Sequence, residues 1–430
     1  MPRRKRPSTE LKSASDEDEY VSRESALKML RVKPQTLYAY VSRGHVRSVQ
    51  QPGGGRRSLY ARADIEALKA RINARHGHRV AAAAAMRWGE PIIPTAITEI
   101  TEDGPSYRGK SAVALARAGT SFEAVAEWLW TGLWLDEKVT WPAIEIPAYI
   151  LELFERRAGR SSEHLLWHFA LLTHHLGATR QERIENGSIP DALVAARQLI
   201  QAMVGCMGLI GPKRKFGVMH HGESVSQALA RELGLPANES NSRAIEAILI
   251  LLADHELTGS TFAARVAASS GALLHACITA ALATHSGTEI GKLCDRIEDF
   301  IKPFERGESL LEHVRFLQTK GITPPGFNHP LYRRSDPRGS YLIAVAADFP
   351  RKPIQLKETL KFLEKAQSTM RLYPRFEIGI VALGLALGLP PRAGAGLFAI
   401  ARTSGWVAHI LEQRTAGYLI RPRARFASHP

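Results

Sequence analysis

Along most of the chain apolar residues return every three to four positions, the period of an amphipathic helix. From residue 96 onward this pattern predicts helices over 115–133, 148–157, 162–176, 191–207, 243–252, 271–283, 309–318, 356–366, 378–386 and 394–413. Clusters such as Gly187-Ser188-Ile189-Pro190 and Leu235-Pro236-Ala237-Asn238 punctuate them. Strand signals are scarce there, so an all-α body is expected over 96–427. The alanine run from Ala81 to Ala85 reads as part of a helical connector over 77–95.

The first 76 residues follow another pattern. Pro2-Arg3-Arg4-Lys5-Arg6-Pro7 and Asp16-Glu17-Asp18-Glu19 have no apolar period, and 1–19 is expected to be a disordered basic and acidic arm. Order is expected from Tyr20. Ser22 suits an N-cap, and Ala26, Leu27 and Leu30 make one apolar face. Arg31-Val32-Lys33 forms a short turn. Pro34 suits the first position of a second helix, where its missing N–H costs nothing, and Gly44 suits the end of that helix. Two short helices on a three-residue turn make a helix-turn-helix. The stretches 46–49 and 58–60 then read as strands of a hairpin with Arg56 and Arg57 at its tip. Another helix starts at Asp64.

Charge sharpens this division. The chain of 430 residues carries +15, and residues 1–79 hold 18 Lys and Arg against 8 Asp and Glu. The remaining 351 hold 39 against 34. A basic head on a nearly balanced body makes double-stranded DNA the first candidate partner of the head. At 45% hydrophobic residues the body has the composition of an ordinary globular core. No apolar run of 18 residues suggests a membrane span, and no membrane partner is expected. The charged start lacks the apolar stretch of a secretory signal. Cys206, Cys277 and Cys294 form no metal-ligand or disulfide pattern, so a reducing cytoplasm and no metal are expected. No phosphate loop, dinucleotide fingerprint or HExxH motif occurs.

Three polar constellations stand out in the body. They are Ala253-Asp254-His255-Glu256 followed by Gly259-Ser260-Thr261-Phe262-Ala263-Ala264-Arg265-Val266, then Pro325-Gly326-Phe327-Asn328-His329-Pro330-Leu331-Tyr332 leading to Asp336-Pro337-Arg338, and Ala401-Arg402-Thr403-Ser404-Gly405-Trp406-Val407-Ala408-His409 with Arg421-Pro422-Arg423 beyond it. Each sets His or Arg among Gly and Pro, where backbone can close around a small anion. The planar fork of Arg matches a carboxylate, so a polycarboxylate ligand is indicated.

Two resemblances follow from these residues. Residues 20–76 resemble the winged helix-turn-helix of the MerR and excisionase-like families. That likeness implies that Gln35, Thr36, Tyr38, Tyr40 and Arg43 face DNA, while Arg47, Arg56 and Arg57 contact phosphates. Tyr40 fits the core equally well, and the head also fits a protein-binding module. The body, from about Ile97 to Arg425, resembles citrate synthase of the short bacterial type; Tyr107-Arg108-Gly109 and the stretch from Ser121 to Gly132 join the three motifs. The likeness implies a large helical domain, a small one inserted at roughly 250–350, and a homodimer. It implies condensation of acetyl-CoA, or another acyl-CoA, with oxaloacetate to give citrate and CoA. Acetyl-CoA is then a substrate, and no permanently bound cofactor is needed. His329 falls on the carbonyl-activating His and His255 on an oxaloacetate-binding His. Arg338, Arg402 and Arg421 fall on the carboxylate-binding arginines, the last supplied by a partner subunit.

Two positions depart from the family. Its Pro-Asn-Val-Asp-Phe stretch is here Pro374-Arg375-Phe376-Glu377-Ile378, which puts Glu377 at the catalytic base. Its Ser-Gly-Pro-Leu-His-Gly-Gly-Ala is here Ser286-Gly287-Thr288-Glu289-Ile290-Gly291-Lys292-Leu293, which puts Ile290 where the enolate-stabilising His belongs. His285 and Lys292 are the nearby groups that could replace it. Three functions are compatible with this pattern. They are an acyltransferase with impaired enolisation, a DNA-binding regulator whose body senses a dicarboxylate or CoA thioester, and an oligomerisation scaffold.

Overall fold

The computed structural model describes residues 20–30, 32–42, 46–50, 58–62, 64–66, 93–137, 139–156, 165–180, 188–304, 306–332, 334–350 and 352–422. The expected arm over 1–19, most of the connector, and Arg43, Arg56 and Arg57 lie outside the described residues. The chain forms two compact units, Met1–Pro94 and Thr95–Pro430.

In the first unit β1 (Tyr20–Val21) leads into α1 (Arg23–Leu30) and α2 (Pro34–Ser42), followed by β2 (Ser48–Gln50) and β3 (Ser58–Ala61). The three strands are antiparallel in the order β1-β3-β2, with Val21 opposite Tyr60 and Val49 opposite Leu59. Ser22 accepts the N–H of Ser25, as an N-cap side chain does. Val21, Ala26, Leu30, Leu37, Val46, Tyr60 and Ile65 make the core. Val46 is therefore a core plug ahead of the strand, which begins at Ser48.

The second unit opens with an antiparallel meander, β4 (Thr98–Thr101), β5 (Gly104–Tyr107) and β6 (Lys110–Ser111). The helical period did not announce these short strands. Helices follow: α3 (Ala112–Arg117), α4 (Phe122–Thr131), α5 (Ala148–Glu155), α6 (Leu165–Arg180), α7 (Ile189–Met207), α8 (Val225–Glu232), α9 (Glu239–Leu252), α10 (Gly259–Ser269) and α11 (Leu274–His285). After them come α12 (Leu293–Ile301), α13 (Gly307–Thr319), α14 (Pro337–Asp348), α15 (Ile354–Met370), α16 (Phe376–Leu387) and α17 (Ala393–Ala416). The single helix expected over 115–133 is two helices. Gly119 at φ +70° turns the chain, and Ser121 caps α4 by accepting the N–H of Ala124.

Two hydrophobic cores fill this unit. The larger gathers residues from Ile97 to Leu411. The smaller gathers Leu293, Ile297, Leu310, Val314, Phe327, Phe362, Ile378 and Val381. It begins and ends later than the 250–350 span expected for a small domain.

Helix α17 crosses the larger core against α4, α7, α9, α10 and α11. Its small residues permit the crossing. A Cβ at Gly405 would collide with the carbonyl of Ala253 and the carboxylate of Asp254. The Gly405 N–H instead donates to Ala253 O at 3.0 Å. Beside it Arg402 Nε donates to Leu252 O at 2.9 Å, and the Tyr107 hydroxyl donates to Ile250 O at 2.9 Å. These donors satisfy carbonyls that the end of a helix leaves without intrahelical partners.

Gly405→Ala tests this crossing. Helix propensity alone favours alanine by about 1 kcal/mol. Overpacking against fixed backbone is expected to outweigh that and leave a net loss of about 1–3 kcal/mol. The urea midpoint reads it, and a variant as stable as the parent would show that the two helices yield freely.

Candidate active site

Two loops bring two histidines together. Asp254, His255 and Glu256 follow α9, and Phe327, Asn328 and His329 precede α14. The ring centroids of His255 and His329 are 5.3 Å apart. Each loop is held in an unusual backbone conformation beside its histidine, Glu256 at φ +57° and Asn328 at φ +54°. Such non-glycine residues persist where surrounding contacts fix them. Asn328 donates its N–H to Tyr373 O and accepts the Tyr373 N–H on its side chain, at 2.8 and 2.9 Å. Glu256 donates its N–H to Asp254 Oδ2 at 3.1 Å.

The protonation states follow from the partners. His329 Nδ1 accepts the N–H of Leu331 at 3.2 Å. The neutral ring therefore carries its proton on Nε2, as a hydrogen-bond donor. Burial, with Arg338 and Arg375 nearby, pulls His329 down to about 4, against the opposing effect of Asp336. Burial and then Arg338 and Arg402 hold His255 well below the usual histidine value. His255 Nε2 is hydrogen-bonded to the Tyr332 hydroxyl at 2.9 Å.

Two arginines lie against this pair. Arg338 and Asp336 are both fully buried, and Asp336 both caps α14 and takes Nε and Nη2 of Arg338 at 3.0 and 2.8 Å. Arg338 Nη1 is buried without an acceptor. The Arg338 guanidinium stacks 4.3 Å from the Phe376 ring, and that of Arg402 lies 5.0 Å from the Phe398 ring. Burial pulls Arg402 down to about 10, opposed by the nearby Asp254. Asp254 in turn is braced by His409, whose Nε2 lies 3.2 Å from Asp254 Oδ2 while its Nδ1 lies 3.1 Å from Arg265 Nη1. Because arginine only donates, His409 gives its Nε2–H to Asp254.

Glu377 stands in the first turn of α16, 2% exposed. A close contact of α14 with α16 brings it beside Arg338; a Cβ at Gly379 would lie 3.0 Å from Gly339 O. Both Glu377 oxygens are taken by Arg375, Nη2 at 2.7 Å and Nε at 3.1 Å. Burial raises the Glu377 carboxyl above its ordinary value, although Arg375 opposes the rise. Ile290 sits in the turn after α11 with its Cδ1 toward Gly259.

The structure thus assembles His255, His329, Arg338 and Arg402 around one point, with Glu377 next to them. It does not bring His285 there. That ring is fully buried between Phe398 and Trp406, at 4.6 and 5.2 Å, and neither nitrogen has a partner. Burial pulls it down to about 3. His285 is thus as deeply buried as Arg338, and it feels the charge of Arg402. Arg421 is exposed beyond α17. Lys292 lies at the start of α12, half-buried. Sequence reasoning did not single out Tyr332, Asp336, Arg375 or His409 as site residues. All four stand inside the quoted motifs, and that membership was the available signal.

In the first unit Gln35 and Tyr38 are exposed on α2, with Arg23 stacked 5.3 Å from the Tyr38 ring centroid. Thr36 is half-buried, and Tyr40 packs on the core. Arg47 does not present a free fork: its N–H, Nε and Nη2 bind the Asp64 carboxylate at 2.9, 2.9 and 3.0 Å. Among the described residues no cluster of His, Cys, Asp and Glu could hold a metal ion. No described helix is long and apolar enough to cross a membrane.

The family model "Citrate synthase, C-terminal domain" matches residues 85–423. Citrate synthase 2 of Bacillus subtilis is 30% identical over 181 residues, 41% of this chain and 49% of that protein. The citrate synthase of Mycolicibacterium smegmatis is 24% identical over 370 residues, 80% of this chain and 94% of that protein. A solved ternary complex of Thermoplasma acidophilum citrate synthase with carboxymethyl-coenzyme A and oxaloacetate has the same fold. Its TM-score is 0.69 at 20% identity, over 81% of this chain and 96% of that one.

The Asp336–Arg338 pair makes a pH-dependent prediction. Burial works to raise Asp336, but Arg338 holds it below its ordinary value. Its stabilisation is thus present above the unfolded value of about 4 and is lost as pH falls below it. Asp336→Asn strands a buried guanidinium and is expected to cost about 3–5 kcal/mol at neutral pH. It should also flatten the acid side of the stability curve. Urea unfolding at several pH values checks both, and an unaltered acid side would place that dependence on other carboxylates.

Proposed function

We propose, because the chain belongs to the citrate synthase family, that the Thr95–Pro430 unit holds oxaloacetate or a similar dicarboxylate next to an acyl-CoA and condenses them slowly. The observation that carries this reading is the unpaired Nη1 of buried Arg338, a side chain whose charge is felt by both His255 and His329. A buried donor without an acceptor is costly unless a ligand supplies one. A carboxylate supplies it with charge as well.

The roles in this reading are those of the family, carried onto matching residues. Arg338, Arg402 and His255 hold the dicarboxylate. His329 donates from Nε2 to the keto oxygen and makes that carbon electrophilic. Glu377 removes a methyl proton beside the thioester carbonyl. The enolate carbon attacks the keto carbon, the new alkoxide takes a proton, and water cleaves the thioester to release citrate and CoA. Arg421, exposed in its own chain, would complete the carboxylate site of a second copy in a homodimer.

The enolisation half is weak. Ile290 has no polar hydrogen to offer a developing enolate, and loss of one such donor costs about 10²–10³-fold in rate. Glu377 is held by Arg375. Dicarboxylate binding is therefore expected to outlast efficient turnover.

A second reading rests on the separate, basic first unit, with Gln35 and Tyr38 exposed on its second helix. It makes the protein a DNA-binding regulator whose body senses the dicarboxylate or the thioester. In this reading Gln35, Thr36, Tyr38 and Arg43 face base edges, while Arg56 and Arg57 touch phosphates.

Three experiments separate these readings. Calorimetry should show oxaloacetate binding that Arg402→Ala abolishes, and no heat at millimolar ligand would end the dicarboxylate reading. In the same preparation thiol release from acetyl-CoA should be slow and should rise about tenfold or more in Ile290→His; an unchanged rate would mean Ile290 does not occupy the enolate position. The regulator reading predicts a gel shift of duplex DNA that weakens with salt and is lost in Arg56→Ala. A shift indifferent to salt would count against phosphate contacts.

A further inference from the structure

The pair Arg375–Glu377 differs from its neighbour Arg338–Asp336 in ways that matter for a ligand. The Arg338 and Asp336 side chains are 0% exposed, whereas Arg375 is 24% exposed and Glu377 2%. Arg375 is the N-cap residue of α16 but makes no side-chain capping bond. Its backbone N–H is fixed to Gly326 O at 2.8 Å, so its side chain can move while the loop stays in place. Its charge is felt by both His255 and His329, so it lies beside the proposed dicarboxylate. The family stretch has Asn at this position. A cavity of about 790 Å³ elsewhere, bounded by Lys302, Phe304, Ile354 and Phe362, makes no comparable demand. There Lys361 pairs with Glu358 and Lys365 with Glu308, and no lining side chain is a buried group without a partner.

We propose that Arg375 is a ligand-binding residue that exchanges partners: an incoming dicarboxylate draws its guanidinium off Glu377, which is then free to accept a proton. This rests on the dicarboxylate reading above. Exchanging one carboxylate for another keeps the guanidinium paired. What changes is Glu377, left buried with its main counter-charge gone. Base strength at Glu377 thereby depends on the second substrate being present.

The proton balance has a definite sign. Arg375, Asp336 and Arg338 face Glu377, and Arg402 and Cys294 also feel its charge. Burial raises the proton affinity of Glu377 and Arg375 lowers it. Withdrawal of Arg375 leaves burial unopposed by its strongest counter-charge, so a fraction of Glu377 takes up a proton on binding, while the fraction still ionised is the stronger base. His255 and His329 can also gain protons when an anion arrives, and variants separate these sources.

The test is calorimetry with oxaloacetate near neutral pH, in buffers of different ionisation enthalpy, on the full chain. Wild type, Glu377→Gln and the double variant Arg375→Gln/Glu377→Gln are compared. Neither variant leaves a buried carboxylate unpaired, so both should fold. Glu377→Gln should bind at least about threefold more tightly than wild type, since Arg375 no longer leaves a carboxylate, and should take up fewer protons. The double variant should bind about tenfold more weakly than Glu377→Gln. Equal affinities of the two variants would reduce Arg375 to a structural partner and overturn the exchange, as would a Glu377→Gln that binds more weakly than wild type. Absence of binding by wild type would overturn the dicarboxylate reading, and the exchange with it.

Discussion

The site depends on how the end of one helix is closed. Helix α9 stops at Leu252, and its last carbonyls would be orphaned in a dry core. They are closed by Tyr107, Arg402 and Gly405, two of which belong to α17. A cation at that end is also where the helix dipole favours one. Only because Gly405 has no side chain can α17 come close enough for this. The chain then leaves α9 with Asp254 fixed by His409, and His255 emerges beside Arg402. The same contacts that complete the core therefore bring a histidine and an arginine near each other.

Charge in the site is arranged around that placement. Asp336 answers Arg338, Glu377 answers Arg375, and Asp254 answers His409 and offsets Arg402. His255 and His329 are kept neutral, because burial and the nearby guanidinium groups both disfavour a further positive charge. Neutrality suits a donor whose Nε2 proton must polarise a carbonyl. The remaining positive potential belongs to Arg402 and the unpaired edge of Arg338. An anion with two acceptor groups fits there better than a neutral molecule.

Much of this was legible in the sequence. The 3.6-residue period marks the helices of the body because each buries an apolar stripe, and His255, His329, Arg338 and Arg402 stand out among Gly and Pro. The period fails where packing is local. The strands over 98–111 are two to four residues long. No helix is predicted at Asp336-Pro337-Arg338, although it is the cap and first turn of α14. Side-chain partnerships were hidden for a different reason. Residues two apart do not meet on a helix surface. Arg375 reaches Glu377 only because it sits outside the helix as its N-cap. His285 shows the converse: nearness in sequence did not reveal that its ring packs between Phe398 and Trp406.

The departures from the family pattern form a consistent set rather than scattered losses. Glu377 is longer than aspartate by one methylene and is almost wholly buried. Left unpaired it would destabilise the fold by several kcal/mol. Arg375, in the family's Asn position, removes that cost in the empty site. Phe376, in the family's Val position, stacks under Arg338 and supports the guanidinium that faces the ligand. Ile290 fills an apolar contact near Gly259 that an imidazole would have to enter with its polar atoms satisfied. Arg375 keeps Glu377 paired, and in the proposed reaction Ile290 leaves the enolate without a donor. The arginines and histidines that would hold a dicarboxylate are untouched by them. In the proposed reaction Arg338, Arg402 and His255 serve recognition while Ile290 and Glu377 limit enolisation, so the first can be kept while the second is reduced.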